Sequence, residues 1–247
     1  MKTYDAVLFD LFDTVVHFNR ERLPLAQVNG KEVRSSTPPT FAVVRRTYTQ
    51  VPFEQFHEAF VGAFREAERI RNSTHREITA LERFAMTFQT LGLPWDAKAQ
   101  GVAAAALEVH MHTLASSVEC PDAYRATLEW TRARYRMALI SNFDHAPTAR
   151  RILDQHGIAG HFEVVVVSAD LGWRKPRAEV FRRGLDAMGV APGRAVFVGD
   201  NAEIDVGGAR GAGMDAIWIN RDGAAYPEGL TAPDHTVAAL PEIQGIL

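Results

Sequence analysis

Apolar residues occur in short uninterrupted runs along the chain. The first run covers residues 4–9 and ends at Asp10. Four similar runs follow at residues 137–140, 164–167, 195–198 and 216–219. Continuous apolar runs are typical of strands covered on both faces, as in a parallel sheet. The pattern therefore predicts five buried strands.

Stretches with helical spacing separate the last four of these runs. They cover residues 146–156, 177–188 and 202–211, and Gly189 is placed to end the second of them as a C-cap. Strands that alternate with helices indicate a doubly wound, Rossmann-like α/β domain with a parallel sheet.

Residues 19–115 break this alternation and show helical spacing instead. Phe53, Phe56, Phe60 and Phe64 recur at intervals of three or four residues, which predicts one amphipathic helix. A proline-containing break at residues 37–40 precedes a helix, and Asp96 is a candidate N-cap for another. We therefore predict an α/β core domain of residues 1–18 and 116–247, with a helical domain of residues 19–115 inserted after the first strand.

Composition narrows the class of protein. The chain has 247 residues, of which 47% are hydrophobic, so it can bury a sizeable core. A net charge of −3 argues against a nucleic-acid partner, and no apolar run reaches the roughly 20 residues that span a bilayer. The N-terminus has no signal-peptide pattern and Cys120 is the sole cysteine. These features predict a soluble cytoplasmic protein with a reduced thiol, while its oligomeric state stays open.

Polar side chains follow the predicted strands where ligands bind in open α/β sheets, beyond the carboxyl ends. They are Asp10, Asp13 and Thr14 after the first strand, Ser141 and Asn142 after the second, Lys175 in the loop after the third, and Asp200 and Asp205 after the fourth. Carboxylates, hydroxyls and one ammonium at a single edge indicate a site for a dianionic group and a divalent metal.

Each group has a role that follows from its charge. Mg²⁺ prefers six oxygen ligands, which Asp10, Asp200 and Asp205 would help to provide, Asp205 either directly or through a metal-bound water. Lys175 would offset the charge on the phosphoryl oxygens, and Ser141 would donate a hydrogen bond to one of them. The free oxygen of Asp10 would attack phosphorus and form an aspartyl-phosphate that water cleaves. Thr14 and Asn142 are further candidates for substrate binding.

Four motifs in this order resemble those of the haloacid dehalogenase-like hydrolase superfamily. They are residues 8–15 around Asp10, residues 139–142, Lys175-Pro176, and residues 198–200 followed by Asp205 and the glycines up to Gly213. The resemblance covers residues 1–18 and about 116–230. It implies that residues 19–115 form a C1-type cap, which in this family closes over the site and supplies much of the substrate specificity.

One position departs from the phosphatases of that family. Most of them carry an Asp two residues after the nucleophile, which protonates the leaving oxygen and later activates water. Here that position is Phe12, which cannot transfer a proton. The resemblance implies that the backbone carbonyl of Phe12 still contacts the metal. Asp13 is the nearest candidate for a substitute acid and base.

Two other functions remain open because of Phe12. Haloacid dehalogenases often have an aromatic residue at this position, need no metal, and usually begin the fourth motif with Ser-Ser-Asn. The fourth motif here is Gly199-Asp200-Asn201 with Asp205, the metal-binding form, and it favours a Mg²⁺-dependent phosphatase. The alternatives are hydrolysis of the carbon–halogen bond of a 2-haloacid, and a regulatory protein that binds metal and phosphate with poor turnover.

Overall fold

A computed structural model describes residues 3–247. Met1 and Lys2, which belong to the N-terminal segment considered above for a signal peptide, lie outside the described residues.

The strands are β1 (Ala6–Phe9), β2 (His17–Phe18), β3 (Leu25–Val28), β4 (Lys31–Arg34), β5 (Val118–Glu119), β6 (Arg136–Ser141), β7 (Val164–Val167), β8 (Ala195–Gly199), β9 (Asp215–Ile219) and β10 (His235–Val237). The α-helices are α1 (Thr37–Arg45), α2 (Phe53–Thr74), α3 (Ala80–Thr90), α4 (Ala97–Ala115), α5 (Asp122–Arg132), α6 (Ala146–Gln155), α7 (Ser168–Leu171), α8 (Ala178–Met188) and α9 (Gly208–Gly211). A π-helix (Ala202–Gly207) precedes α9, and short 3₁₀-helices lie at Arg20–Arg22, Ala159–His161, Pro192–Arg194 and Leu240–Gly245.

The described residues form two compact units. One comprises the residues up to Phe18 together with Glu119–Leu247, and the other comprises Asn19–Val118. None of the described helices combines the length and the apolar character needed to cross a bilayer.

The first unit is built on a six-stranded sheet in the order β10-β9-β8-β1-β6-β7. Each neighbouring pair in this order is parallel. The chain passes from β1 outward through β6 and β7, and then returns to the other side of β1 to add β8, β9 and β10. The predicted α/β fold class is confirmed, and β1 lies where the direction of strand addition reverses.

Apolar side chains cover this sheet on both faces. Every residue of β1, β8 and β9 is buried, which explains why their sequences show no alternation. On one face, Leu8 and Phe197 pack in a cluster with Phe181 and Leu185 of α8. Because β1 pairs in parallel with both β6 and β8, the carboxyl ends of these three strands meet at one edge of the sheet.

Helix α5 and strand β10 are among the elements of this unit that were not anticipated from the sequence. Helix α5 has an amphipathic face that buries Tyr124 and Leu128, but it lies in a stretch without an isolated apolar run. Strand β10 is three residues long and buries only Val237, so its apolar signal is too weak to read. The predicted C-cap Gly189 does end α8, with a positive φ of 62°.

The second unit contains four helices and one short hairpin. The predicted phenylalanine stripe lies on α2, where Phe56 and Phe60 are buried while Phe64 is exposed. Asp96 caps α4, accepting a hydrogen bond from the backbone of Ala99 at 2.8 Å. The proline-containing segment is not a break before a helix, because Pro38 stands in the first turn of α1, where proline is well tolerated.

The hairpin of β3 and β4 was missed in the sequence. It turns at Asn29-Gly30, and both residues have positive φ angles, of 51° and 74°. An Asn-Gly pair between short strands is a strong signal for such a two-residue turn. The strands alternate in burial, with Ala26 and Val28 inside, so a search for uninterrupted apolar runs does not detect them.

Candidate active site

Asp10 lies directly after β1, at the carboxyl edge of the sheet. Its backbone N–H donates to Val198 O at 2.9 Å, which continues the pairing of β1 with β8 by one residue. Its carboxylate is buried, with the residue 8% exposed, and Oδ1 accepts a hydrogen bond from Lys175 Nζ at 2.6 Å. The second oxygen, Oδ2, is the candidate for attack.

Lys175 is buried between two carboxylates. Its Nζ lies 2.6 Å from Asp10 Oδ1 and 2.7 Å from Asp205 Oδ1, the latter a close ion pair rather than a well-aligned hydrogen bond. The ammonium also stands 5.0 Å from the centre of the Phe197 ring, a cation–π contact. Burial alone would lower the pKa of Lys175, but Asp10 and Asp205 outweigh it and raise the pKa, so the side chain stays charged.

Asp205 is held by the turn that follows β8. Its Oδ2 accepts the backbone N–H of Asn201 at 3.0 Å, and Asn201 in turn caps the π-helix through its side-chain oxygen. A Cβ at Gly199 would lie 2.5 Å from the Asp205 carboxyl group, a distance that real Cβ atoms essentially never show. The glycine before Asp200 is therefore required for Asp205 to approach the strand end.

Asp200 is the more open of the two carboxylates after β8. Its backbone carbonyl accepts a hydrogen bond from Trp218 Nε1 at 2.8 Å, which fixes the main chain. Burial raises the pKa of its carboxyl to about 7, and the neighbouring carboxylates of Asp10 and Asp205 add to the shift. Burial likewise raises the pKa of Asp10, against the opposing effect of Lys175. Negative charge is thus crowded at this edge.

Three carboxylates are close enough to share one cation. Asp10, Asp200 and Asp205 each offer one oxygen, and these oxygens all lie within 4.8 Å of one another. Hard oxygen ligands of this kind suit Mg²⁺, and a divalent charge would relieve the repulsion that raises the pKa of Asp200. The donor set therefore fits the metal that the sequence predicts.

Two buried hydroxyls face this edge without a partner among the described residues. They are Ser141 Oγ, at the end of β6, and Thr14 Oγ1, in the turn after β1. Both residues are at most 1% exposed. A buried hydroxyl without a partner is costly, so each of these groups is suited to bind a ligand oxygen.

Asn142 makes a different contact from the one predicted for it. Its Nδ2 donates to Lys175 O at 3.0 Å, and its Oδ1 accepts the Lys175 backbone N–H at 2.8 Å. The amide therefore bonds to the main chain of the loop that carries Lys175. Its predicted role in substrate binding stays a prediction.

Phe12 and Asp13 lie in the turn after Asp10. The Phe12 ring packs against Phe143, with 5.0 Å between ring centres and an angle of 52° between the planes. Asp13 has a positive φ of 58°, and its carboxylate faces Arg221 Nη1 at 3.5 Å. Arg221 also donates to the carbonyl of Asp13 and to His17 Nδ1, which lies 2.7 Å from its Nη2.

Sequence reasoning overlooked Arg221 and His17. Arg221 stands two residues after β9, so the strand-end argument would have found it had it been applied to the fifth strand. His17 gave no signal, because a lone histidine in a short strand is uninformative. Burial and the neighbouring Arg221 lower the pKa of His17, which keeps its Nδ1 able to accept the hydrogen bond.

Among the glycines after Asp205, Gly208 allows close packing of α9. A Cβ at Gly208 would lie 2.6 Å from the Phe181 ring of α8 and 2.9 Å from Pro176 Cα. The close neighbours of Gly208 are therefore a second helix and the Lys175 loop. This contact brings α9 against the residue that follows Lys175.

The comparisons with known proteins agree with this geometry. A model of the haloacid dehalogenase-like hydrolase family matches residues 4–213, which is most of the chain. The chain belongs to the haloacid dehalogenase-like hydrolase family, as the four motifs predicted.

Among curated proteins, the chain is similar to a phosphoserine phosphatase of Thermus thermophilus, with 38% identity over 123 residues, or 50% of this chain and 49% of that one. It is also similar to an N-acylneuraminate-9-phosphatase of Mus musculus, with 30% identity over 127 residues, 51% of each chain. The chain spans about half the length of these relatives. A solved structure of a 2-haloacid dehalogenase from Pseudomonas syringae superposes with a TM-score of 0.71 and 25% identity, covering 100% of this chain and 98% of that one.

Proposed function

We propose that the protein is a Mg²⁺-dependent phosphatase of a small phosphorylated metabolite. The observation that carries this proposal is the cluster of Asp10, Asp200 and Asp205, two of which pair with the Lys175 ammonium, beside the unpartnered hydroxyl of Ser141. A phosphate dianion needs cations for its charge and donors for its oxygens, and this edge provides both. The similarity to two phosphatases supports the same reaction class.

Each residue of the site would have a separate role in the reaction. Lys175 and the Ser141 hydroxyl would bind phosphoryl oxygens, while Asp10, Asp200 and Asp205 would hold Mg²⁺, whose charge offsets that of the phosphate. Asp10 Oδ2 would attack phosphorus as the ester bond to the leaving oxygen breaks, giving an aspartyl-phosphate and an alkoxide that takes up a proton. Water then adds to phosphorus, loses a proton, and releases Asp10 and inorganic phosphate. We assign substrate selection to the helical unit of Asn19–Val118, which has none of the four motifs.

A panel of phosphorylated metabolites and 2-haloacids, assayed with and without Mg²⁺, tests this proposal. We expect phosphate release that a chelator abolishes and added Mg²⁺ restores, because three carboxylates without a cation repel the substrate. Matched assays with Ca²⁺, which has the same charge but prefers more oxygen ligands at longer distances, should show lower turnover. Turnover that chelation leaves unchanged would contradict the metal site.

Hydrolysis of a 2-haloacid is the second candidate. The Phe12 ring occupies the position of the family acid, which halide departure does not need, and a 2-haloacid dehalogenase is among the similar structures. Against it, Asp200 adds a carboxylate with a raised pKa that a metal-free reaction does not use. The same panel separates the two functions, since halide release without metal would favour the dehalogenase.

The raised pKa of Asp200 predicts how metal binding depends on pH. A protonated carboxyl is a poor ligand, so Mg²⁺ must displace the proton that Asp200 holds below pH 7. Mg²⁺ affinity, measured by calorimetry without substrate, should therefore fall as the pH drops below about 7, by up to about tenfold per unit. Asp200→Asn, which has no proton to lose, should bind weakly with a flatter profile. Constant wild-type affinity from about pH 8 to about pH 5.5 would contradict this prediction.

A further inference from the structure

The side-chain amide of Asn142 joins two of the motifs directly. It donates to the carbonyl of Lys175 at 3.0 Å and accepts from the N–H of the same residue at 2.8 Å. Two bonds to one residue fix both the position and the rotation of that peptide segment. Asn142 lies one residue beyond β6, a largely buried strand that is paired on both sides, so the loop of Lys175 is anchored to the sheet.

A second pair of hydrogen bonds joins the same two loops. Ser168 Oγ accepts the Phe143 N–H at 3.0 Å and lies 3.2 Å from the Phe143 carbonyl, to which it donates. Ser168 is fully buried and begins α7, in the segment that leads to Lys175. Asn142 and Phe143, which follow β6, are thus both hydrogen-bonded to the segment between β7 and α8. Of the two, Asn142 bonds to Lys175 itself.

Lys175 must be positioned accurately because its ammonium pairs with two carboxylates at once. Nζ lies 2.6 Å from Asp10 and 2.7 Å from Asp205, and the side chain is 1% exposed. Displacement of the backbone would lengthen one contact or both and leave buried charge unpaired. A misplacement of about 1 Å at a reacting centre can cost about 10²-fold in rate.

We propose that Asn142 is a positioning residue: its amide holds the backbone of Lys175 so that the ammonium reaches Asp10 and Asp205, and it acts on the substrate only through Lys175. The part of this proposal that concerns turnover rests on the proposed phosphatase function. The position of the Lys175 ammonium does not depend on that function.

A double-mutant cycle tests the proposal, with p-nitrophenyl phosphate and Mg²⁺ as the probe. Asn142→Ala should lower kcat/KM by about 10- to 100-fold. In a Lys175→Met background, the same change should cost less than about threefold, because the group it positions is gone. Losses that multiply in the double variant would show that Asn142 acts on the substrate independently, and would overturn the proposal. If Lys175→Met does not fold, Lys175→Gln, which also lacks the positive charge, takes its place in the cycle.

The chain offers a matched control at the same edge of the sheet. Asn220 makes an equivalent pair of bonds, donating to Ala224 O at 2.9 Å and accepting from Ala224 N at 3.0 Å, but it does not reach Lys175. Asn220→Ala should change kcat/KM by less than about threefold, because its two bonds close a turn that does not carry Lys175. An equal loss in Asn142→Ala and Asn220→Ala would contradict a specific role for Asn142.

A crystal structure tests the role of Asn142 independently of the proposed phosphatase function. In a crystal structure of Asn142→Ala, the Lys175 Nζ to Asp10 Oδ1 distance should exceed the 2.6 Å of the wild type. An unchanged ammonium position would overturn the proposal even if turnover falls. Conversely, a wild-type protein that hydrolyses no phosphate ester would contradict the phosphatase function alone, and the displaced ammonium would still support the role of Asn142.

Discussion

Asp10→Asn is expected to leave the fold intact and to lower phosphatase turnover by more than about 10³-fold. The amide keeps the shape of the carboxyl group, so packing after β1 is preserved. It is neither an anion nor a nucleophile, however, and it weakens both the ion pair with Lys175 and the metal site. Phosphate release and thermal unfolding of the same preparation provide the measurement.

A control for this variant removes a carboxylate of the same unit that has no part in the proposed chemistry. Asp170 on α7 is half-exposed and pairs with Arg150. Asp170→Asn should retain wild-type turnover within about twofold, since surface ion pairs contribute little. A folded Asp10→Asn protein that releases phosphate at the wild-type rate would rule out Asp10 as the nucleophile.

The central sheet could be predicted because its signal is local. Strands β1, β6, β7, β8 and β9 each lie in a run of consecutive apolar residues, and burial on both faces is what produces such runs. Strand β10 and the β3–β4 hairpin have one buried side at most, so that signal is absent. The Asn29-Gly30 turn could still have been predicted, because an Asn-Gly pair between short strands indicates a two-residue turn whether or not apolar runs flank it.

The candidate site could be predicted as a set of residue types, but not as a set of contacts. Parallel strands bring their carboxyl ends together, and this alone places Asp10, Ser141 and Asp200 at one edge. Which atom bonds to which depends on loop conformation. Asn142 and Lys175 are 33 residues apart, and no periodicity indicates that the amide of one bonds the backbone of the other.

The contacts of Asp13 likewise could not be predicted from the sequence. From the sequence alone, Asp13 is the nearest candidate for a substitute acid, because it stands one position beyond Phe12. Its side chain is half-exposed in the structure. The structure adds that Arg221 donates to its carbonyl and faces its carboxylate, a contact across 208 residues. The guanidinium competes with a substrate for the carboxylate oxygens, so this contact counts against Asp13 as the substitute acid.

The Phe12 ring has a defined place, which makes its replacement informative. It packs against Phe143, so the position at which most phosphatases of the family carry a carboxyl group holds a packed aromatic ring. An enzyme of this kind should act slowly on simple alkyl phosphates, whose leaving oxygen needs a proton. Acyl phosphates and aryl phosphates such as p-nitrophenyl phosphate have better leaving groups and should lose less.

Phe12→Asp is therefore expected to raise turnover of alkyl phosphates by about 10²- to 10⁴-fold, the range that general acid–base groups contribute. The gain on p-nitrophenyl phosphate should be smaller, because its leaving group departs without a proton. Phe12→Asn is the matched control, since it removes the ring to the same extent but cannot transfer a proton. An equal gain in both variants would mean that loss of the ring, and not a new acid, is responsible. If the wild type already hydrolyses alkyl phosphates at ordinary rates, another group is the acid, and Asp13→Asn then decides whether it is Asp13.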